Sequence, residues 1–373
     1  MNLLPLALLA AAQQFTVETA PEWDAVFDQT SGWTGADGIY SIPFTGNDAF
    51  GAHKTCRTLF VFSDTFIGEV NAQGQRLPGT TLVNNTLAVL PADVGADPDA
   101  IRFYWRKDGP NQLAVFEPNT ANTQPGEFYW LKDGIIIDGD THIFAGRFSK
   151  DPPPFHREGI SLITIPAGMK PPFTGHTQVE TTLWLDDAPQ RGQVSFGGAI
   201  MDNTVEGNAI NPDGFIYVYG IQEDPLNKKA LASRVPRDQF TNFSAYRFWD
   251  GSNWVADINQ AKPMCGRLSN EFSVTPLPDG QFLMAFQQDT IGKQVAVRLG
   301  ASPVGPWGPI VEVYDCPVPN NPPVYTYNAK AHPHLSEPGT LLISYNVNGA
   351  GSFWDHFDYA DIYRPRFIRL RIQ

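Results

Sequence analysis

Three acidic residues stand where short apolar segments begin or end. Asp37 precedes one such segment and is followed by Gly38, Asp64 follows the apolar run 59–62, and Glu271 precedes another apolar segment. Hydrolysis of a glycosidic bond needs one carboxylic acid that protonates the leaving oxygen and one carboxylate that activates water or attacks directly. Each residue also has a plain structural interpretation, as a turn aspartate, a cap and a strand-edge glutamate. Catalysis therefore requires a fold that brings the three side chains together.

Five passages of the chain share one pattern, in which small or polar residues lead into a short strand, a glycine-containing turn and an apolar strand. They cover residues 35–65, 126–148, 197–220, 269–289 and 330–348. Their spacing exceeds the WD40 period of about 40–45 residues, so each repeat fits one four-stranded sheet with long loops. The pattern predicts an all-β, five-bladed β-propeller as a single domain over residues 14–373. A β-sandwich is the alternative, although it seldom uses five long repeats.

A propeller gathers the innermost strands of all its blades around one central cleft. Side chains that open each repeat are therefore candidates for one shared site, however far apart they lie in sequence. Helical signals are thin by comparison, because only residues 225–240 read as a helix and Pro236 limits that segment. An α/β fold would need many more helices between its strands.

The net charge of −13 and pI near 4.9 exclude nucleic acid and anionic membranes as partners and suit a neutral polysaccharide. Residues 1–13 resemble a secretory signal peptide, which predicts a secreted or periplasmic protein without membrane insertion. We also expect a monomer.

Three cysteines, Cys56, Cys265 and Cys316, allow at most one disulfide, and buried free thiols are the simpler interpretation.

Several segments resemble five-bladed propeller glycosidases: ASPVGPW (301–307), and SRVPRDQF followed by YRFWDGSNW (233–254). GADGIYSIP with LFVFSDTFIG, and YNAKAHPHL with LLISYNVN, resemble a propeller family long catalogued as a domain of unknown function, whose relatives include inverting endo-D-arabinanases. The resemblance extends over residues 33–367. It implies that Asp37 and Asp64 are the catalytic pair and that Glu271 stands where many such enzymes carry their general acid.

Six further residues are predicted to bind substrate. Asp202 and Asn203 could bond sugar hydroxyls, and the resemblance places His332 near the central axis, although a packed core histidine is an equal alternative. Trp33, Trp130 and Trp354 are candidate platforms for a sugar ring, although most tryptophans serve packing. No cofactor and no catalytic metal are expected, while the resemblance allows a structural calcium ion in the central channel.

The leading hypothesis is an inverting glycoside hydrolase that acts on a furanoside-containing polysaccharide such as D-arabinan. A carbohydrate-binding propeller without catalysis is the second, and it predicts aromatic platforms without converging carboxylates. A glycoside phosphorylase is the third, and it would need cations for phosphate beside the acid, for which Lys54 and Arg57 are candidates. Motifs for nucleotide binding, zinc proteases and serine nucleophile elbows are absent from the sequence.

Overall fold

The computed structural model describes residues 15–151, 153, 155–186, 192–224 and 227–373, and the regular secondary structure of this part of the chain is mainly β-strand. The first strands are β1 Phe15–Thr19, β2 Ser31–Ala36, β3 Tyr40–Pro43, β4 Thr58–Phe62, β5 Thr65–Glu69, β6 Thr81–Val83, β7 Thr86–Leu90, β8 Arg102–Tyr104, β9 Arg106–Asp108, β10 Asn111–Leu113, β11 Phe128–Ile137, β12 Asp140–Ser149, β13 His156–Ile165 and β14 Thr177–Glu180. The remaining strands are β15 Trp184–Leu185, β16 Val194–Asn203, β17 Phe215–Gln222, β18 Lys228–Pro236, β19 Arg247–Trp249, β20 Trp254–Val255, β21 Cys265–Leu268, β22 Phe272–Pro276, β23 Phe282–Gln287, β24 Gln294–Gly300, β25 Val311–Asp315, β26 Val324–Ala331, β27 Thr340–Gly349 and β28 Arg366–Ile372.

Helices are short and peripheral. They are α1 Pro21–Val26, α2 Asp355–Asp358 and the 3-10 turns Ala52–Lys54, Arg237–Gln239, Phe243–Ala245, Ile258–Gln260, Pro333–Leu335 and Ala360–Tyr363. Across the described ranges, no helix combines the length and the apolar character that crossing a bilayer would require. The predicted signal peptide at residues 1–13 lies outside the described residues.

Five antiparallel sheets make up the body of the protein. Their strand orders are β3-β4-β7-β8, β11-β12-β13-β14, β16-β17-β18-β19, β22-β23-β24-β25 and β26-β27-β28-β1, and the third sheet is extended by β15, β20 and β21. Each of the five repeats read from the sequence supplies the first two strands of one sheet. The smaller sheets β2-β5-β6 and β9-β10 lie outside this series.

The first strands of the five sheets pack side by side around a common centre. Contacts join β3 to β11, β11 to β16, β16 to β22 and β22 to β26. Each pair of neighbouring sheets also encloses its own cluster of buried apolar side chains, and a fifth cluster joins the last sheet to the first. The core is therefore divided among the interfaces between sheets, because each sheet buries both faces against its neighbours.

Residues 225–240 do not form the helix that the sequence predicts. The described part of this segment is strand β18 followed by a 3-10 turn at Arg237–Gln239. Ala, Lys and Leu favour helices, but this segment pairs with β17 on one side and with β19 and β21 on the other. Burial in the sheet outweighs the local preference, because Ala230, Leu231 and Ala232 are completely buried there.

His332 joins the first sheet to the last. It follows β26, is 1% exposed, and its two ring nitrogens each lie 2.7 Å from a serine hydroxyl, that of Ser41 in β3 and that of Ser344 in β27. Burial lowers the pKa of His332 well below its usual value, so the ring is neutral. The prediction that His332 binds substrate is therefore wrong, since both nitrogens are engaged in closing the ring of sheets.

We expect His332→Leu to lower the free energy of unfolding by roughly 2–4 kcal/mol, because two hydroxyls lose their partner. The wild type should also lose stability as the pH falls below about 6.5, since the unfolded chain takes up a proton that folded His332 does not bind. Denaturant unfolding of both proteins between pH 5 and 8 measures each effect, and the variant should lack this part of the pH dependence. Equal stability and equal pH dependence would contradict the assigned role.

Candidate active site

Asp37 and Asp64 are neighbours through their backbones. The Asp37 N–H donates to the Asp64 carbonyl at 3.2 Å, and the Ser63 N–H donates to the Asp37 carbonyl at 2.9 Å. Asp37 lies between β2 and β3, and Asp64 lies between β4 and β5. Because β3 pairs with β4 whereas β2 pairs with β5, both aspartates sit where one ladder divides into two sheets.

Protein packing explains the glycines beside Asp37. Gly38 has a φ of +64°, and a Cβ there would lie 2.7 Å from the Ser63 hydroxyl. A Cβ on Gly35 would lie 2.2 Å from the carbonyl oxygen of Tyr363. The space at these positions is thus filled by the protein itself.

Asp37 is half-buried and lies beside two tyrosines that influence its proton affinity. The Tyr327 hydroxyl donates to Asp37 Oδ2 at 2.7 Å, whereas Oδ1 is buried without a hydrogen-bond partner among the described residues. Burial and repulsion from Asp64 raise the pKa of Asp37 to about 7, although hydrogen bonds from Tyr327 and Tyr363 lower it. Glu271 contributes further repulsion, which places it within electrostatic range of the pair. A carboxyl of this kind holds a proton near neutral pH.

Asp64 is oriented by two donors that share one oxygen. Trp130 Nε1 donates to Asp64 Oδ1 at 2.8 Å, and Asn84 Nδ2 donates to the same atom at 3.0 Å. Burial raises the pKa of Asp64, while both hydrogen bonds and the charge of Lys150 oppose that rise. The sequence predicted that Trp130 binds substrate. In the structure its indole N–H is a hydrogen-bond donor to Asp64.

Glu271 is held by a buried cation. It precedes β22, and Lys330 Nζ of β26 lies 2.6 Å from its Oε2, with side-chain exposures of 2% for Lys330 and 14% for Glu271. The two atoms form an ion pair without the alignment of a good hydrogen bond. Lys330 Nζ also lies 4.5 Å from the centre of the Tyr40 ring. Lys330 therefore occupies one oxygen of the Glu271 carboxyl.

Three of the innermost strands carry β-bulges near this end of the channel. The register shifts between Leu131 and Gly134 in β11, between Phe196 and Ala199 in β16, and between Tyr327 and Lys330 in β26. Bulges re-aim side chains next to functional sites. The bulges of β11 and β26 carry or flank residues that the sequence analysis missed: Lys132, Asp133, Tyr327 and Lys330. The glycine in the Asp133-Gly134 pair was the feature of the sequence that could have revealed the bulge of β11.

Asp133 is satisfied by backbone donors. The N–H of Gly134 donates to its Oδ1 at 2.8 Å and the N–H of Ile200 donates to its Oδ2 at 2.7 Å. Burial raises the pKa of Asp133 to about 7, although these bonds lower it. Asp133 thus links β11 to β16 and has no free oxygen for substrate, so its role is structural.

Asp202 and Asn203 lie at the opposite end of the channel. They end β16, where Arg237 pairs with Asp202 and also reaches the carbonyl of Ile136 near the end of β11. Asn203 is 2% exposed, and its carbonyl accepts hydrogen bonds from the turn at 213–214. The prediction that these two residues bind sugar beside the carboxylates is wrong. The sequence pattern identified the strand but did not show which of its ends lies near the carboxylates.

The two remaining candidate platforms, Trp33 and Trp354, differ in their exposure to solvent. Trp33 is 1% exposed and packs among Phe27, Phe62 and Phe103, so it cannot serve as a sugar platform. Trp354 is 66% exposed and precedes α2. It belongs to a strap, residues 353–363, whose last residue is the Tyr363 that contacts Asp37. Its exposed ring keeps the prediction of a platform open.

Arg76 holds the strap in place. Its guanidinium donates to the carbonyls of His356, Ala360 and Thr34 and lies 4.3 Å from the centre of the Phe66 ring. A further chain of contacts runs from the strap to the carboxyl: His356 Nε2 lies 2.8 Å from Asn348 Oδ1, and Asn348 Nδ2 lies 3.5 Å from the Tyr327 hydroxyl. The strap therefore determines the surroundings of Asp37.

The candidate phosphate ligands do not lie with the carboxylates. Lys54 pairs with Glu337 beyond the end of β26, and the Arg57 guanidinium lies over the Phe44 ring. The carboxylates that line the channel cavity, where the resemblance allows a calcium ion, are those of Asp48, Asp133 and Asp202. No group of three or more His, Cys, Asp or Glu suited to a metal occurs in the described ranges, where the three cysteines are free.

Comparison with known proteins places the chain in a family. The model of the domain of unknown function DUF5005 matches residues 21–372. The chain belongs to the DUF5005 family. No curated protein matches this DUF5005 chain. Among solved structures, a candidate hydrolase from Bacteroides ovatus superposes with a TM-score of 0.73 at 20% identity, covering 97% of this chain and 92% of the other, which shows a shared fold.

Two weaker structural matches have activities in their names. The exo-β-1,3-galactanase of Phanerochaete chrysosporium has a TM-score of 0.47 at 11% identity, covering 91% of the DUF5005 chain and 63% of the galactanase. The GH43_1 enzyme from Xanthomonas citri complexed with xylose has a TM-score of 0.45 at 12% identity, covering 95% and 93%.

Tyr327→Phe should raise the pKa of Asp37 above about 7, because the variant removes a donor that stabilises the carboxylate. Carbon-13 NMR titration of the aspartate carboxyls measures the change directly. Tyr314→Phe, which alters a tyrosine beside Tyr345 and away from the carboxyls, is the matched control. An Asp37 titration that stays the same in the Tyr327 variant would show that this hydrogen bond does not set the proton affinity.

Proposed function

We propose that this protein is a five-bladed β-propeller glycoside hydrolase that uses Asp37 and Asp64 to cleave a furanoside-containing polysaccharide with inversion. The observation that carries the proposal is the pair itself: two half-buried aspartates joined through their backbones, one with its pKa raised to about 7. The five first strands around one centre support the propeller count. A lectin-like module would have no use for such a pair.

Asp37 suits the role of general acid. At neutral pH it holds a proton in part, because its pKa is raised to about 7. Transfer of that proton to the glycosidic oxygen accompanies cleavage of the bond between this oxygen and the anomeric carbon. Tyr327 and Tyr363 then stabilise the carboxylate that remains.

Asp64 suits the role of general base. Both of its donors bind Oδ1, which leaves Oδ2 free to accept a proton from water. The water oxygen forms the new bond to the anomeric carbon while its proton passes to Asp64. Glu271, whose Oε2 pairs with Lys330, would stabilise the positive charge that develops on the sugar ring. This assignment replaces the general-acid role that the sequence analysis gave to Glu271.

The family resemblance noted in the sequence supports arabinan as the first substrate to test. Trp130 beside Asp64 and the exposed Trp354 on the strap are the proposed contacts for sugar rings. Secretion, which the leader-like residues 1–13 suggest, is part of the proposal. A monomeric state completes it. A phosphorylase is the second candidate, since two lysines, Lys132 and Lys330, accompany Glu271.

Asp37→Asn and Asp64→Asn should each lower kcat by roughly 10²–10⁴-fold, because each removes one of the two proton transfers. Release of reducing sugar from a panel of arabinans, with and without chelator, measures the effect, and circular dichroism checks that each variant folds. Asp238→Asn, at an exposed position in a 3-10 turn, is the control. If both site variants kept wild-type activity, the catalytic assignment would be wrong.

The pH dependence of kcat/KM should fall above about pH 7, because the general acid loses its proton as the pH rises through the pKa of Asp37. It should also fall on the acid side, where Asp64 becomes protonated, so that the two limbs report the coupled pair. Proton NMR of the first product should show the inverted anomer. A rate that rises steadily to pH 9, or a retained anomer, would contradict the mechanism.

A further inference from the structure

Lys132 is a buried cation without a partner. It lies in the bulge of β11, its residue is 8% exposed, and no hydrogen bond or ion pair joins its ammonium to any residue of the described ranges. Burial lowers the pKa of Lys132 to about 8, while the charges of Glu271 and Glu223 oppose that change, so the side chain stays largely protonated at neutral pH. Buried charges are costly unless they are paired.

The carboxylates near Lys132 already have partners. Glu271 is paired with Lys330 at 2.6 Å. Glu223 accepts from Arg157 at 2.6 Å and from Lys228 at 3.4 Å. Lys132 therefore adds a positive charge that the protein around it does not neutralise.

The ammonium lies beside the residue that precedes Glu271. A Cβ on Gly198 would lie 3.8 Å from Lys132 Nζ and 3.3 Å from the carbonyl oxygen of Asn270. The carbonyl of Gly198 accepts a hydrogen bond from the Tyr40 hydroxyl at 2.9 Å, and Tyr40 in turn lies against Lys330. Lys132 thus reaches the same end of the channel as Glu271, where a bound molecule can meet it.

We propose that Lys132 binds an oxyanion at the active site, either a carboxylate on the polysaccharide, as in a uronosyl residue, or inorganic phosphate. The inference rests on the proposed function, because it places this anion beside the proposed catalytic carboxyls. A charged group at this position would neutralise the buried ammonium, and a neutral sugar would not. The preferred polysaccharide then carries acidic groups, in contrast to a plain arabinan.

Calorimetric titration of the wild type, Lys132→Met and Lys132→Arg with D-glucuronate, D-glucose and inorganic phosphate tests the proposal. D-glucuronate or phosphate should bind the wild type better than glucose does, and Lys132→Met should weaken that binding by about 10- to 100-fold. Lys132→Arg should retain most of it. Lys54→Met, which removes an exposed lysine paired with Glu337, is the control and should bind as the wild type does.

The two anions distinguish the sources of the charge. Binding of glucuronate alone assigns the site to the substrate, whereas binding of phosphate alone assigns it to a phosphorolytic co-substrate. No preference for either anion over glucose, or undiminished binding in Lys132→Met, overturns the inference. Arabinan hydrolysis without anion binding would leave the proposed function intact, and anion binding without any hydrolysis would overturn only the proposed function. Methionine at position 132 replaces a buried charge with an apolar chain of similar length, so the variant should fold.

Discussion

Two half-buried carboxyl groups within electrostatic range of each other cannot both ionise easily, and the site is organised around this constraint. The backbone bonds between Asp37 and Asp64 fix the pair, and their mutual repulsion adds to the burial that raises the pKa of Asp37. Different donors then separate the two groups, since Asp37 faces tyrosine hydroxyls whereas Asp64 faces an indole and an amide. Environments that push two proton affinities apart are how one site obtains both an acid and a base.

The other half of the site has the opposite electrostatic character. Lys330 and Lys132 both lie near Glu271, and the bulges of β26 and β11 direct them there. The end of the channel is thus divided into a proton-holding side and a cationic side. Such polarity would orient a substrate whose two ends differ in charge, since each end meets a complementary field.

The sequence predicted the sheets better than the side chains between them. Period-two apolar runs and glycine turns mark the first two strands of every sheet, because these are local features. Asp37, Asp64 and Trp130 could be chosen as candidates because they lie in or next to those strands. Lys132, Tyr327 and Lys330 were missed because their position depends on β-bulges, which leave almost no trace in composition. The prediction that Asp202 and Asn203 bind substrate was wrong because of strand direction. In the sequence, a residue at the far end of an inner strand cannot be distinguished from one at its start. The prediction that Trp33 is a platform for a sugar ring was wrong because its burial depends on neighbours distant in sequence, such as Phe103.

The last of the five sheets is assembled from both ends of the chain. Strand β1 pairs with β28 in a register that sets Phe15 opposite Ile372, and Glu18 bonds Arg369 and Arg371 across the seam. A ribosome must therefore make strand β28 before this seam can form, and β1 has to wait in an unpaired state. An unpaired strand edge is prone to join other chains. Until β28 is made, the edge that will form the seam is thus a point at which the growing chain is exposed to aggregation.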